Sequence, residues 1–312
     1  MKIGKFELKN NLILAPMAGV TDLAFRSICI DAGADYAVSE MVSAKALTYG
    51  NKKTFDLLQV APNEKIKVLQ LFGSEKESFA KALKIKEVQA FDIIDINMGC
   101  PTPKIVNNGA GSDLMRDMDR AREIIETCVA NTNQPVTVKF RAGWNEESIN
   151  AVEFAKMCEK AGAAAICVHA RTREQFYSGV SDWNLVKLVK ESVSIPVIAS
   201  GDVVDKESYD KIKEITHCDA VMIGRGALGN PQIFSEVRGE KFALSTYEQV
   251  VKHIEILRGY YSDYLILKHM RKHFLWYLKS YRNSKSVKVE IVSISTIEKA
   301  LQRLKKFFDE GV

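Results

Sequence analysis

An α/β fold, a (β/α)8 TIM barrel followed by a small all-helical C-terminal domain, is what this sequence predicts, on three observations. Eight short apolar runs recur in order, with helical patterns between them, from residue 12 to residue 227. Most runs are continuously apolar rather than alternating, as strands buried on both faces require. The rhythm breaks near Val237–Ser245, and beyond it only helical patterns remain. The expected domains are therefore 1–240 for the barrel and 241–312 for the helices. An open doubly wound sheet is the alternative. It usually carries a Gly-rich fingerprint after its first strand, and Ala15-Pro16-Met17-Ala18-Gly19-Val20 is not one.

The eight runs are Leu12–Pro16, Tyr36–Met41, Lys67–Phe72, Ile93–Gly99, Val136–Gly143, Ala165–Arg171, Pro196–Val203 and Ala220–Ala227. Helical spacing appears in Phe79-Ala80-Leu83-Ile85, in Ala121-Ile124-Ile125-Cys128, in Ile149-Val152-Phe154-Ala155-Cys158 and in Leu185-Val186-Leu188-Val189. From Leu265 to Arg282 the sequence splits along a helix. Leu267, Met270, Phe274, Leu278 and Tyr281 fall on one side; Lys268, Arg271, Lys272, Lys279 and Arg282 fall on the other.

A chain of 312 residues that is 46% hydrophobic can bury a large core. Its six cysteines, at 29, 100, 128, 158, 167 and 218, form no CxxC pair, so neither a disulfide framework nor a zinc site is indicated and no metal is expected. The N-terminal residues lack an apolar signal core, and no 18-residue apolar run occurs. A cytoplasmic, reducing setting and no membrane association are the expectation. The net charge of +5 is unevenly divided. Residues 241–312 hold 14 Lys/Arg against 7 Asp/Glu, which leaves 30 against 32 in the first 240. Between Asp263 and Glu290 there are seven basic residues and no acidic one. A polyanionic partner for the last quarter of the chain follows.

In a barrel of this kind the residues that end the strands share one mouth. The first run delivers Pro16, Met17 and Ala18, small and backbone-rich, suited to a flat ring. The third delivers Gln70, and the fourth Asn97 and Cys100. The fifth supplies Lys139 and Arg141, the sixth His169 and Arg171. The seventh ends in Ser200-Gly201-Asp202 and the eighth in Gly224-Arg225-Gly226. Gly-rich loops after strands seven and eight commonly form the phosphate site of this fold, so a phosphate-bearing cofactor is expected. Lys139, in an otherwise apolar strand, is either one half of a structural ion pair or a positive charge beside an anionic cofactor. Cys100 follows Asn97-Met98-Gly99 and precedes Pro101-Thr102-Pro103. Its strand-end position suits a reactive thiol as well as a packed one.

Five stretches resemble one family along essentially the whole chain. They are Ala15-Pro16-Met17-Ala18-Gly19-Val20-Thr21-Asp22, Asn97-Met98-Gly99-Cys100-Pro101, Val138-Lys139-Phe140-Arg141, Val168-His169-Ala170-Arg171-Thr172-Arg173 and Gly224-Arg225-Gly226-Ala227. Together they resemble the tRNA-dihydrouridine synthases, which are flavoproteins. The resemblance implies an FMN-binding barrel, a helical tRNA-binding domain, and reduction of uracil in tRNA at the expense of NADPH. It implies FMN contacts from Pro16, Met17, Ala18, Gln70, Lys139, His169, Ser200, Gly201, Asp202, Gly224 and Arg225, and a proton-donor role for Cys100. Ser200 departs from the Asn that the family often carries there.

On that reading a hydride from the flavin N5 reaches uracil C6, and Cys100 protonates C5, which requires the neutral thiol. Asn97 is expected at the uracil edge, and Arg171 at the uracil or a nearby phosphate. Lys268, Arg271, Lys272, Lys279 and Arg282 would contact tRNA. A stacked base must be flipped out to enter a barrel mouth. Phe274, Trp276, Tyr277 and Tyr281 are expected in the helical core rather than stacked on bases. A monomer is expected. The competing readings are an FMN-dependent dehydrogenase of free pyrimidines, such as dihydropyrimidine or dihydroorotate, which needs no basic tail, and a non-catalytic RNA-binding barrel.

Overall fold

In the computed structural model, which describes residues 1–310, nine parallel strands form one sheet. They are β3 (Leu12–Leu14), β4 (Tyr36–Ala37), β5 (Val42–Ser43), β6 (Val68–Phe72), β7 (Ile93–Met98), β8 (Val136–Arg141), β9 (Ala165–His169), β10 (Val197–Ser200) and β11 (Ala220–Ile223). β1 (Lys2–Ile3) and β2 (Phe6–Glu7) make a separate antiparallel hairpin. The sheet order is β4-β3-β11-β10-β9-β8-β7-β6-β5.

The ninth strand does not add a ninth wall to the barrel. β4 lies in the expected run Tyr36–Met41 and β5 directly follows that run, with residues 38–41 out of the regular ladder between them. A parallel bridge from Val38 to Val68 spans the break. Val38 N donates to Leu14 O and Ser39 N to Val68 O, each at 3.1 Å, which closes the ring. The break matters for function because it turns Glu40 and Met41 toward the mouth. β6 ends with its expected run and β7 one residue before it, while β3, β8, β9, β10 and β11 stop two to four residues short, since the last residues of those runs leave the ladder to build the rim.

Two apolar layers follow from strand alternation. Side chains pointing inward, including Ile13, Tyr36, Val68, Ile93, Cys167 and Met222, fill the barrel's interior. The hairpin plugs its lower end with Ile3 and Leu8, a closure that the short polar N-terminal sequence did not announce. Side chains pointing outward pack under the surrounding helices: α1 (Leu23–Asp31), α2 (Lys76–Ala82), α3 (Met118–Asn131), α4 (Ala151–Lys160), α5 (Trp183–Ser192) and α6 (Lys206–Thr216). Local sequence sets their starts. Asp117, Asp182 and Asp205 accept backbone N–H groups at the N-termini of α3, α5 and α6.

The last quarter contains α7 (Thr246–Arg258), α8 (Asp263–Tyr277), α9 (Lys285–Ile291) and α10 (Ile297–Asp309). A reciprocal Ser245–Glu248 capping box opens α7. These helices share an apolar core that also takes in Ala24 of α1. Phe274 and Tyr277 are buried in it, Tyr281 is half-buried with its hydroxyl 2.6 Å from Thr246 Oγ1, and Trp276 packs against the barrel. All four aromatics are thus interior or interfacial. Lys268, Arg271, Lys279 and Arg282 are exposed, and Lys272 is half-buried. No helix among the described residues is long and apolar enough to cross a membrane.

The helical layer is fastened to the barrel through α1. Asp22 caps α1, accepting from Ala24 N at 3.0 Å and Phe25 N at 2.9 Å. The same carboxylate lies 3.2 Å from His253 Nε2 on α7 and 3.2 Å from His273 Nε2 on α8. Both histidines are fully buried, and Phe25 packs against their rings. Burial opposes ionisation of Asp22, but His253 above all, with His273, outweighs it and holds the carboxyl well below its usual range. Burial, then the neighbouring His253, pulls the His273 imidazole down to about 4. One turn away, Arg26 donates to both oxygens of Glu64 at 3.0 Å, and to Thr21 O and Gln59 O. Both members of that pair are buried.

Removing one partner of a buried ion pair strands the other charge. Arg26→Ala is expected to cost about 3–5 kcal/mol in denaturant unfolding, and a loss below about 1 kcal/mol would contradict this account. The junction also has a pH signature. His273 is held below its ordinary 6.5, so its neutral form favours folding and that contribution drains away as the pH falls from 6.5 toward 4. Asp22, also depressed, adds a loss of the same sign at lower pH still. The drop in unfolding temperature between pH 7 and pH 4.5 should therefore be smaller in His273→Asn than in the parent. Equal drops would show that this cluster does not set the acid sensitivity.

Candidate active site

Five parallel strands, β6 to β10, place rows of polar side chains across the inside of the barrel. Register pairs Gln70 with Asp95, and Asp95 with Thr137. One step nearer the mouth, Asn97 pairs with Lys139. Further round, Arg141 pairs with His169 and His169 with Ser200. Side chains at paired positions in parallel strands point the same way, so these groups meet laterally.

The lower row is organised by Asp95, which is buried. Its Oδ1 accepts from Thr137 Oγ1 at 2.6 Å and its Oδ2 from Gln70 Nε2 at 2.7 Å. Gln70 Oε1 in turn accepts from Asn97 Nδ2 at 2.8 Å. Asn97 Oδ1 then accepts the backbone N–H of Cys100 at 2.9 Å and that of Gly99 at 3.2 Å. A directional chain thus runs from a carboxylate to the cysteine loop. Because an ionised carboxylate only accepts, it fixes the Gln70 amide, which fixes the Asn97 amide. Burial raises the Asp95 carboxyl to about 6, against the pull of Thr137, Gln70 and Lys139.

Cys100 is half-buried, with Sγ 3.4 Å from Thr102 Oγ1. The five other cysteines are buried. The Cys100 carbonyl accepts from Ser112 N and Ser112 Oγ, at 3.1 and 3.0 Å. Gly111 is obligatory there: a Cβ would sit 2.7 Å from Cys100 O, and its φ is +63°. Arg141 braces the loop from the other side, donating to Gly99 O at 2.7 Å and to Thr172 O and Phe176 O at 2.8 Å. Burial is the main reason its guanidinium falls to about 10, with Tyr177 and Cys100 acting against the fall.

The upper row carries an excess of positive charge. Lys139 is half-buried and has no ion pair among the described residues, so of its two sequence readings the structural ion pair is not the one observed. His169 is buried among Lys139, Arg141, Arg171 and Arg225. Burial first, then those cations, hold its imidazole well below 6.5 and therefore neutral. His169 Nε2 lies 3.3 Å from Arg171 Nη1. A guanidinium can only donate, so that nitrogen accepts and the ring proton sits on Nδ1. Exposed Tyr177 lies beneath both Arg225, at 4.9 Å, and Arg141, at 5.5 Å.

The loops after β10 and β11 are cross-linked through Asp202. Its carboxylate accepts from Arg171 Nη2 with both oxygens at 2.8 Å, from Ser181 N at 2.8 Å and from Arg225 Nη2 at 3.2 Å. Arg171 is the sequence expectation that the structure redirects. It is 2% exposed and also donates to Ser178 O and Gly179 O, so it lies within the wall rather than at a uracil or a phosphate. Gly201, at φ +124°, leaves a cradle: a Cβ there would meet Ser181 Oγ at 2.5 Å and His169 Cδ2 at 3.0 Å. Ser181 Oγ is buried with no partner. An unfilled hydroxyl, a glycine cradle, a neutral histidine and unpaired cations suit an anionic, phosphate-bearing ring cofactor. Pro16, Met17 and Ala18 form the adjoining rim after β3, which neighbours β11, and Gly224 lies against Ala15 and Met17. Ser200 ends β10 beside His169.

Sequence reasoning missed Asp95, Glu40 and the Asp22–His253–His273 junction. Asp95 had a signal, a carboxylate inside an apolar strand, which is costly unless hydrogen-bonded. Replacing it tests the chain it anchors. In Asp95→Asn the Gln70 amide can reverse, and amide hydrogen exchange over residues 97–103 is expected to rise about tenfold or more relative to the parent. Unchanged protection would show that the loop is held without it.

Comparison with known proteins bears on the family and the fold. The sequence model of the dihydrouridine synthase (Dus) family matches residues 13–311. The chain is similar to tRNA-dihydrouridine synthase B of Shewanella oneidensis, 38% identical over 100% of this chain and 99% of the relative. It is 40% identical to a probable tRNA-dihydrouridine synthase of Rickettsia bellii, over 91% of this chain and 90% of that one. Among solved structures, 2-naphthoyl-CoA reductase matches with a TM-score of 0.59 at 13% identity, covering 77% of this chain and 52% of the other. The old yellow enzyme homologue of Zymomonas mobilis matches at 0.51 and 13%, covering 74% and 89%. At such identities these structures speak for the barrel fold alone. Family match, full-length similarity and fold converge: this chain belongs to the dihydrouridine synthase family.

Proposed function

We propose that the protein is a tRNA-dihydrouridine synthase that uses FMN and NADPH to saturate the C5=C6 bond of uracil in tRNA. The observation that carries this reading is the placement of Cys100, held at the lip of a cation-lined barrel mouth by the Asp95–Gln70–Asn97 chain. FMN, reduced by NADPH, would supply the hydride to uracil C6. The protein's own groups do the rest.

Addition at C6 leaves electron density on C5 and O4 of the ring. The Cys100 thiol donates its proton to C5 and is left as a thiolate that solvent must reprotonate. The unpaired ammonium of Lys139 and the guanidinium of Arg225 hold negative charge on the cofactor side. Neutral His169 offers its Nδ1–H as a donor, and the loops of Gly201 and Gly224 take the phosphate. Pro16, Met17 and Ala18 back the ring. Gln70 has both ends of its amide committed to Asp95 and Asn97, so its support of the cofactor is partly indirect. Asn97 gives one amide hydrogen to Gln70 and turns the other toward Met41 Sδ at 3.9 Å, a weak acceptor that the uracil edge would displace. Lys268, Arg271, Lys279 and Arg282, exposed on one side of the helical layer, follow the tRNA backbone, and the target base leaves its stack to enter the mouth.

Purified protein incubated with undermodified tRNA and NADPH should produce dihydrouridine, detected by nucleoside mass spectrometry. Cys100→Ala should slow product formation by about 10²–10⁴-fold. A yellow protein that yields no dihydrouridine on several unmodified tRNAs would point to a free pyrimidine as substrate. The rate should also report on Asp95. Its folded value near 6 lies above the ordinary 3.8, so its contribution to folding is most favourable in acid and declines as the pH rises through 6. The chain to Cys100 needs the ionised form. Single-turnover rates should therefore fall below pH 6 while this group's effect on stability runs the other way. That acid limb should be absent in Asp95→Asn, and a limb of the same midpoint in both proteins would assign it elsewhere.

A further inference from the structure

Helix α8 reaches the barrel at the loop that follows β3, residues 15–22, and two adjacent side chains make the contact. His273 is fully buried against Asp22 at the end of that loop. Lys272, about 100° round the helix, turns toward the mouth. Its Nζ lies 3.2 Å from the point that a Cβ on Gly19 would occupy, and Gly19 has φ +71°. The loop is pinned there from below, because Gly19 N donates to the Glu40 carboxylate. Lys272 also lies close enough to Glu40 to lower its carboxyl, against the burial that raises it. Even so, Lys272 forms no ion pair within 4 Å among the described residues. Met41, next to Glu40, has its sulfur 3.9 Å from Asn97 Nδ2, the residue that holds Cys100. Glu40, Met41 and Asn97 thus lie in series between the end of Lys272 and the cysteine loop.

A half-buried ammonium without a carboxylate partner is poorly solvated until an anion arrives. Lys268, Arg271, Lys279 and Arg282 lie free in solvent, whereas Lys272 overhangs the rim through which a base must pass. The base can enter the barrel but its phosphodiester cannot, so the phosphate stays at the rim. We propose that Lys272 binds the phosphodiester of the very nucleotide whose base enters the barrel, and so fixes how deeply that base sits against Cys100. This inference rests on the reading of the protein as a tRNA-uridine reductase. The His273–Asp22 and His253–Asp22 contacts are what keep α8, and with it the ammonium, in register with the mouth.

The role predicts an effect on rate more than on affinity. One phosphate contact among several adds little to binding, but the depth of the base governs the approach of the reacting atoms. The test uses the flavin-loaded protein, reduced anaerobically and mixed with excess undermodified tRNA, with flavin reoxidation followed at increasing tRNA concentration. Flavin content and unfolding temperature are measured on each variant to exclude misfolding. Lys272→Gln is expected to lower the saturating rate by about tenfold or more. Its half-saturating tRNA concentration should move by no more than about threefold. Lys272→Arg, which keeps the charge, should recover the rate to within about threefold of the parent. A Lys272→Gln protein with the parent's saturating rate, altered only in half-saturation, overturns the proposal and leaves the reductase reading intact. Parent protein whose reduced flavin is not reoxidised by any tRNA overturns that reading and this inference with it.

Discussion

Asp95 accepts one hydrogen bond from Thr137 and one from Gln70 inside the barrel, and the orientation of everything above it depends on that. An amide side chain looks nearly the same when reversed. A buried acceptor that cannot donate removes the ambiguity, first at Gln70 and then at Asn97. The last link grips the backbone of Gly99 and Cys100 rather than the thiol. The loop is held from three sides, by Asn97, by Ser112 and by Arg141, while the sulfur's own polar neighbour is the Thr102 hydroxyl at 3.4 Å. The cost is a buried carboxyl whose ionisation is resisted by its surroundings, and the inward-facing Tyr36 and Cys167 keep that environment apolar.

Charge is distributed so that each cation has a distinct condition. Arg171 is neutralised by Asp202 and serves as a strut between loops. Arg225 shares the same carboxylate but remains half-exposed at the lip. Lys139 stands with no ion pair among the described residues. Burial first, and then the concentration of positive charge at one level of the barrel, keeps His169 neutral, and that charge marks where an anion belongs. The cations of the helical layer form a second group, separated from the first by the rim at Gly19. Lys272 is the member of that group nearest the barrel's own site.

The two layers of the molecule meet through a carboxylate with two duties. Asp22 caps α1, and so belongs to the barrel, yet its carboxylate also bonds His253 of α7 and lies 3.2 Å from His273 of α8. The loop that ends at Asp22 begins with Pro16–Ala18 at the barrel mouth. The helical layer thus meets the barrel rim through one short segment, and Ala24 of α1 is continuous with the helical core.

Strand–helix alternation, apolar runs and the charge division at residue 240 were legible in order along the chain, because each is a property of neighbouring residues and of side-chain period. The strand-end residues were legible too, since barrel geometry sends all of them to one mouth. Within that set, the sequence could name Cys100, Asn97 and Gln70 but not the bonds that join them, nor say that Asp95 anchors the chain. Arg171 read as a ligand contact because an arginine at a strand end looks alike whether it faces the lumen or the wall. Its place was decided by Asp202, 31 residues away in the chain. The break in the second strand, the hairpin plug and the Asp22–His253–His273 junction were likewise invisible, as the last joins residues 231 positions apart. Local pattern determined the elements and the chemistry available at the mouth; only the closed barrel and the docked helices decided which of those groups hold one another and which are left free for a substrate, since hydrogen-bond partners and desolvation exist only between groups that folding brings together.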